Sequence, residues 1–213
     1  MNMPETQGSS EWYAIRAGKA SGSGVKNIRA KIKSGESATR RNYRMKLVME
    51  RLLGRPLEDG YSNAFMERGT EMEPIARAMY ENHADVLVDE IAWVPHPTIE
   101  NFGVSPDGLV GEDGLVEIKV PSMPVHIGYW LDAIEGKVPT DYTDQMLAQL
   151  ACTQRKWCDF VSYDDRVVED MQLVVIRFEP NRKEIEELEK EVEQFLQEVD
   201  QEVIKINQRR NQK

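Results

Sequence analysis

Three side chains stand close together in "SPDGLVGEDGLVEIKVP", from Ser105 to Pro121: Asp107, Glu117 and Lys119. In a β-strand, alternate side chains share a face. Glu117 and Lys119 therefore point the same way, with Leu115, while Val116, Ile118 and Val120 point the other. Gly111, Glu112 and Asp113 make a plausible hairpin loop. A regular hairpin centred on Glu112 sets Asp107 opposite Glu117. Two carboxylates at close range repel, so a compensating charge is needed. A hard divalent cation fits, since Mg²⁺ takes oxygen ligands and keeps several waters. Such a cation also acidifies water at neutral pH. Lys119 could then orient that water, help deprotonate it, or steady charge developing on a phosphoryl group. Plainer readings stay open: a half-exposed strand with a solvated Glu and Lys, and an Asp-Gly turn.

The elements that would position these groups read as follows. A short lead-in precedes a turn at Ser21–Gly24 and a helix that Ser21 or Ser23 could cap. "SATRRNYRMKLVMERLLG" is a second helix, with Tyr43, Leu47 and Val48 on one side and Gly54 past its end. A third covers roughly 63–82. "VLVDEIAWV", "IENFGVS" and "GLVEIKV" read as strands, and "MQLVVIRFE" as a late one. A helix spans about 141–156. From Arg182, a long helix carries an apolar stripe through Leu188, Val192, Phe195 and Val199. That stripe fits docking on the chain's own sheet, or a coiled-coil seam.

The 213 residues are 40% hydrophobic, enough for one sizeable domain. The expected division is a basic helical segment (1–60), a core (61–180) and a C-terminal helix (181–213). No apolar run reaches the roughly 18 residues a membrane span needs. The N-terminus lacks a charged-then-apolar leader, and only Cys152 and Cys158 are present. A cytoplasmic setting without disulfides is the expectation. Both cysteines read as buried thiols on one helix. His83, His96 and His126 have no zinc-site spacing. Net charge is −10, yet 16–55 holds twelve Lys and Arg against Glu36 and Glu50. This asymmetry points to a polyanion site, or to a solvated basic helix face.

Pro-Asp, a spacer and Glu-x-Lys resemble the PD-(D/E)XK nuclease superfamily. Other blocks extend the resemblance to its lambda exonuclease or YqaJ-type viral recombinase branch. These are "EWYAIRAGKASGS", "RGTEMEPIARAMYE", "SPDGL", "LVEIKVP" and "DYTDQMLAQL", in order from Trp12 to Leu150. The resemblance implies an α/β fold with a central mixed sheet flanked by helices and a long C-terminal helix. It implies a Mg²⁺-dependent 5′→3′ exonuclease on double-stranded DNA ends, releasing 5′-mononucleotides and leaving a 3′ tail. Two metal ions, with Mn²⁺ able to substitute, a homotrimer and a single-strand annealing partner protein follow from it, and no membrane.

Carried over residue by residue, Asp107, Glu117 and the Ile118 carbonyl bind metal, and Lys119 is the catalytic lysine. Glu73 supplies a further acid, and Gln145 orients the lysine or the water. Arg16, Ser23 and Ser105 form a pocket for the 5′-phosphate, and Met66 is placed near a duplex wedge. The bland alternatives are an acidic first helical turn for Glu73, surface amides for Gln145 and Gln149, a surface base for Arg16 and core packing for Met66. The branch also carries a second phosphate-binding Arg soon after the lysine. This chain has none there, and His126 or Lys137 are the candidates to replace it. Two other readings are kept: a non-catalytic DNA-end-binding module of the same fold, and a Cas4 or RecB-type nuclease without the four cysteines of an iron–sulfur cluster.

Overall fold

The computed structural model describes residues 6–57 and 64–212. A five-stranded mixed sheet organises them, in the order β2 (Val88–Asp89), β5 (Gly108–Val110), β6 (Gly114–Lys119), β7 (Trp157–Tyr163), β8 (Leu173–Phe178). Only β6 and β7 run parallel; the other neighbours are antiparallel. A smaller sheet joins β1 (Ala20–Ser21), β4 (Phe102–Val104) and β3 (Val94–Pro95). The expected mixed α/β architecture is present, with two sheets where one was expected.

The β5–β6 hairpin has the anticipated register. Gly108 faces Val116, Leu109 faces Leu115, and Val110 faces Gly114. Gly111 takes φ +53°, the left-handed turn conformation that glycine adopts without strain. The following stretch reinforces the turn. Arg155 Nη1 donates to the carbonyls of Gly111 and Gly114 at 2.8 and 2.7 Å, and Lys156 N donates to Asp113 O at 2.8 Å.

β6 is buried on both faces, so the solvated-face reading fails. Val116 and Ile118 pack with Ala76, Tyr80 and Val161 beneath α4 (Ala64–Ala84). On the other face, Leu115 and Phe160 pack with Met146 and Leu150 of α6 (Thr140–Thr153). Pro74 lies inside α4, so Glu73 is mid-helix and not in a first turn. The start expected at Asn63 lies outside the described residues.

Other elements also depart from expectation. The lead-in is a helix, α1 (Ser10–Arg16), capped by Ser9 accepting from Trp12 N at 3.2 Å. Neither Ser21 nor Ser23 caps the four-residue α2 (Val25–Ile28); Gly24 occupies its N-cap. A Cβ on Gly24 would come within 2.1 Å of the Tyr43 hydroxyl, so the close approach of α2 and α3 (Ala38–Leu53) requires glycine. α5 (Met123–Ile134) and β7 extend the outline, and Cys158 falls on β7 rather than on a helix with Cys152.

The long helix α7 (Arg182–Arg210) starts at a capping box in which Asn181 and Glu184 bond reciprocally. Its stripe, Leu188, Val192, Phe195 and Val199, is buried. It docks chiefly on α3 and α6 rather than on the sheet, and Phe195 stacks on Tyr43 at 5.7 Å. The sheet's outer face is already covered by α6, so helices are what α7 meets.

Candidate active site

Continuing the hairpin one step past Gly108–Val116 brings Asp107 opposite Glu117. Asp107 Oδ2 accepts from Ile118 N at 2.7 Å. The N–H and C=O of one strand residue leave on the same edge. The Ile118 carbonyl is therefore directed toward the Asp107 side as well. Lys119 Nζ lies 3.8 Å from Asp107 Oδ2, pairs with Glu117 Oε1, and stands 5.3 Å from the centroid of the Tyr142 ring. One face thus gathers two carboxylates, an ammonium and a free strand edge.

Glu117 is fully buried. A buried carboxylate is costly unless paired and hydrogen-bonded. Here Gln145 Nε2 donates to Oε1 at 2.6 Å, and Gln149 Nε2 to Oε2 at 2.5 Å. Burial and then Asp107 push the Glu117 carboxyl up to about 7, while Lys119 and the Gln149 amide pull it down. Burial alone would lower the Lys119 ammonium, but Glu117 and Asp107 outweigh it and raise it. Gln145 and Gln149 are one turn apart on α6, on the side that faces β6. Gln149 is 1% exposed, which overturns the surface-amide reading. Its place inside the apolar run Met146–Cys152, one turn after Gln145, is the signal that could have found it.

Glu73 stands at the rim, 37% exposed, accepting from Arg77 Nη2 at 2.9 Å. Burial and then Asp107 raise its carboxyl; Arg77 and Lys119 oppose. It therefore shares the electrostatic neighbourhood of the pair.

A cleft of about 260 Å³ opens beside this cluster, walled by Trp12, Arg16, Ser23, Ser105, Asp107 and Gln145. The structure thus brings the three expected phosphate contacts to the edge of the expected metal pair. The Arg16 guanidinium lies 3.7 Å from the Trp12 ring centroid and 5.8 Å from that of Trp93. Ser105 is less available than expected. Its hydroxyl donates to Ala92 O at 2.6 Å and accepts from Trp12 Nε1 at 2.9 Å. Ser23 Oγ lies 3.4 Å from Ser21 Oγ. A larger cavity, about 510 Å³, lies between residues 28–40 and α7. Its charged walls pair with one another, as Arg29 does with Glu191 and Arg40 with Glu198, so it offers no reactive group.

His126 is not a phosphate ligand. It is fully buried. Nε2 faces Met171 O at 2.8 Å, and a carbonyl only accepts, so Nε2 carries the proton. Nδ1 lies 2.8 Å from Ser162 Oγ. Lys137 is exposed and paired with Glu135. Met66 is 54% exposed on α4, which removes the core-packing reading.

A hard divalent cation would find oxygen donors at this cluster. Among the described residues, no three His, Cys, Asp or Glu side chains converge as a ready cage. Mg²⁺ does not require one, because it binds through one or two carboxylates and retains waters. Asp107, Glu117 and a carbonyl edge are all hard oxygen donors, and the repulsion between the carboxylates is what a cation relieves. The donor set fits.

A mixed sheet with a paired Asp and Glu-x-Lys on its central hairpin, helices on both faces, defines a PD-(D/E)XK nuclease fold. The model of the YqaJ-like viral recombinase domain matches residues 11–156. The chain belongs to that family and, with it, among the DNA exonucleases. Two solved structures of LHK-Exo are similar over nearly the whole length. One is an alkaline exonuclease from Laribacter hongkongensis, 42% identical, with a TM-score of 0.85, covering 96% of this chain and 99% of that one. The other, in complex with dAMP, is 43% identical with a TM-score of 0.87 and the same coverage. A phage-related exonuclease from Haemophilus somnus 129PT is 13% identical, with a TM-score of 0.71 over 88% of this chain and 96% of that one, and shares the fold. No curated protein matches.

Proposed function

We propose that this protein is a Mg²⁺-dependent exonuclease that enters at the ends of linear duplex DNA and digests one strand 5′→3′. The observation that carries this reading is the juxtaposition of Asp107, Glu117 and Lys119 with the cleft walled by Arg16 and Ser23. A cleavage centre beside an anion-binding wall selects a phosphate-bearing terminus over an internal site. The products would be 5′-mononucleotides, in keeping with the dAMP bound to the similar LHK-Exo. The remaining 3′ tail suits an annealing partner protein, and a homotrimer would enclose the duplex.

Each residue has a part in that reaction. Asp107, Glu117 and the Ile118 carbonyl would hold the cation, with Glu73 as a further acid at the rim. The bound cation would supply Lewis-acid polarisation of the scissile phosphate and help a water lose its proton. Lys119, beside both carboxylates, would steady negative charge on the phosphoryl oxygens. Gln145 fixes Glu117 and reaches the cleft wall, where it can orient the attacking water. Arg16 grips the terminal phosphate as a planar two-pronged donor, with Ser23 beside it. Met66, exposed on α4, would part the duplex end.

The test uses linear duplex labelled at either the 5′ or the 3′ terminus, with and without Mg²⁺. Early release of labelled mononucleotide from the 5′ end, only with Mg²⁺, is expected. Release from the 3′ end, or internal fragments, would refute the direction. Binding without any cleavage would favour the end-binding module.

A further inference from the structure

The two oxygens of Glu117 are held by different partners. Oε1 takes Gln145 and Lys119; Oε2 takes Gln149 alone among the described side chains. A primary amide can be turned over, presenting oxygen where nitrogen stood. Facing a carboxylate, the oxygen would repel, and Glu117 would lose its only donor on that side. The far end of the amide has a matching partner. Gln149 Oε1 faces Cys158 Sγ at 3.8 Å, with the thiol as donor; the other acceptor in reach of that thiol, Asp159 O, is farther, at 4.0 Å. Cys158 sits on β7, fully buried, in register with Leu115. Cys158 and Leu115 are on the same face as Glu117, two residues further along β6. Burial, then the charge of Glu117, pushes the Cys158 thiol well up, so the sulfur keeps its proton.

We infer that Cys158, Gln149 and Glu117 form a directed hydrogen-bond relay: the thiol fixes the amide, and the amide fixes the carboxylate that would hold the cation. Gln149 and Cys158 are thereby positioning residues. The relay rests on the metal-binding reading of Glu117. Partners behind a ligating carboxylate hold its angle, and removing one typically costs about 10–100-fold in metal affinity or activity. The relay also explains why a polar amide sits 1% exposed where α6 meets the sheet.

The test uses the full chain and two readouts: Mn²⁺ binding by calorimetry without DNA, and steady-state cleavage against Mg²⁺ and DNA concentration. Gln149→Met keeps the volume and removes both bonds. It should weaken Mn²⁺ by about 10–100-fold and raise the Mg²⁺ needed for half-maximal rate, while KM for DNA stays put. Cys158→Ala should weaken Mn²⁺ by a smaller factor, and Cys158→Ser, which keeps a donor, should stay within about twofold of wild type. Because the thiol acts through the amide, the double variant should be no weaker than Gln149→Met alone. Full additivity, or Ser and Ala behaving alike, overturns the relay. Near-UV circular dichroism checks folding; if Gln149→Met does not fold, the Ser and Ala comparison at Cys158 decides. Wild type that binds no Mn²⁺ overturns the metal reading and the relay together, whereas wild type that binds, with variants unchanged, overturns the relay alone.

Discussion

Replacing Arg16 by alanine reads the cleft directly. The guanidinium lies on Trp12, and among the described residues no carboxylate closes on it. Burial lowers its pKa, with Tyr43, Tyr13 and Glu50 opposing, yet an arginine remains charged at any working pH. Its charge is thus available to a ligand. A hydrogen bond to a charged group is worth roughly 1.5–3 kcal/mol. At 1.36 kcal/mol per decade, that is about ten- to a hundred-fold in rate. Arg16→Ala should slow digestion of 5′-phosphorylated duplex by that factor and 5′-hydroxyl duplex much less, so the preference between ends shrinks. Arg16→Lys should fall between, since it keeps the charge and loses the planar fork and the flat stacking surface. Initial rates on both substrates, for wild type and both variants, provide the measurement, with a thermal melt to register the lost stacking on Trp12. Rates that fall in parallel on the two substrates would make Arg16 a general DNA contact or a structural residue.

Lys119→Met should abolish cleavage, by about 10²–10³ or more, while a gel shift shows DNA binding intact; near-normal cleavage would remove Lys119 from the mechanism. Ca²⁺ tolerates six to eight ligands where Mg²⁺ demands an octahedron, so it should support DNA binding with little turnover, and equal rates in the two ions would refute a geometry-dependent site. Cys152 and Cys158 are buried with pKa values pushed well up by desolvation, so a thiol reagent should react with neither in the native protein and with both in denaturant; rapid native labelling would contradict the packing of β7 against α6.

The hairpin was legible because its information is local. Alternation fixes which face Glu117 takes, and a glycine-bounded odd loop fixes what it faces. The cluster's surroundings were not, because they depend on burial. "LVEIKV" alternates, and alternation ordinarily marks a strand wet on one side; the helix covering that face lies about thirty residues downstream. Gln149 looked like a surface amide for the same reason. β7 was missed because "WCDFVSY" mixes Asp and Ser into a central strand. There Asp159 is neutralised by Arg177 at 2.8 Å and bonded by Tyr80 at 2.8 Å, partners no local pattern reveals. The partner of α7 was misjudged because an apolar stripe specifies that something covers it, not what.

Charge carries the sharpest difference between composition and structure. Twelve bases within 16–55 suggest a broad polyanion surface. Folding places the acidic face of α7 against much of that segment. Arg29 pairs with Asp144 and Glu191, both at 2.5 Å. Arg40 pairs with Glu36 and Glu198 at 2.7 Å, and Arg44 reaches Glu36, Glu198 and Glu202. Arg51 pairs with Asp200. The arginines in these pairs are only 12–26% exposed. A phosphate could take them only by displacing carboxylates already in place, so they add little to the counter-ion release that drives DNA binding. Arg16 differs from them in kind. It is held by aromatic rings, which position a guanidinium without cancelling its charge. A chain of net charge −10 can therefore repel nucleic acid over most of its surface and still bind it at one cleft. The number of basic residues in a segment says less about that than which of them the fold leaves without a carboxylate.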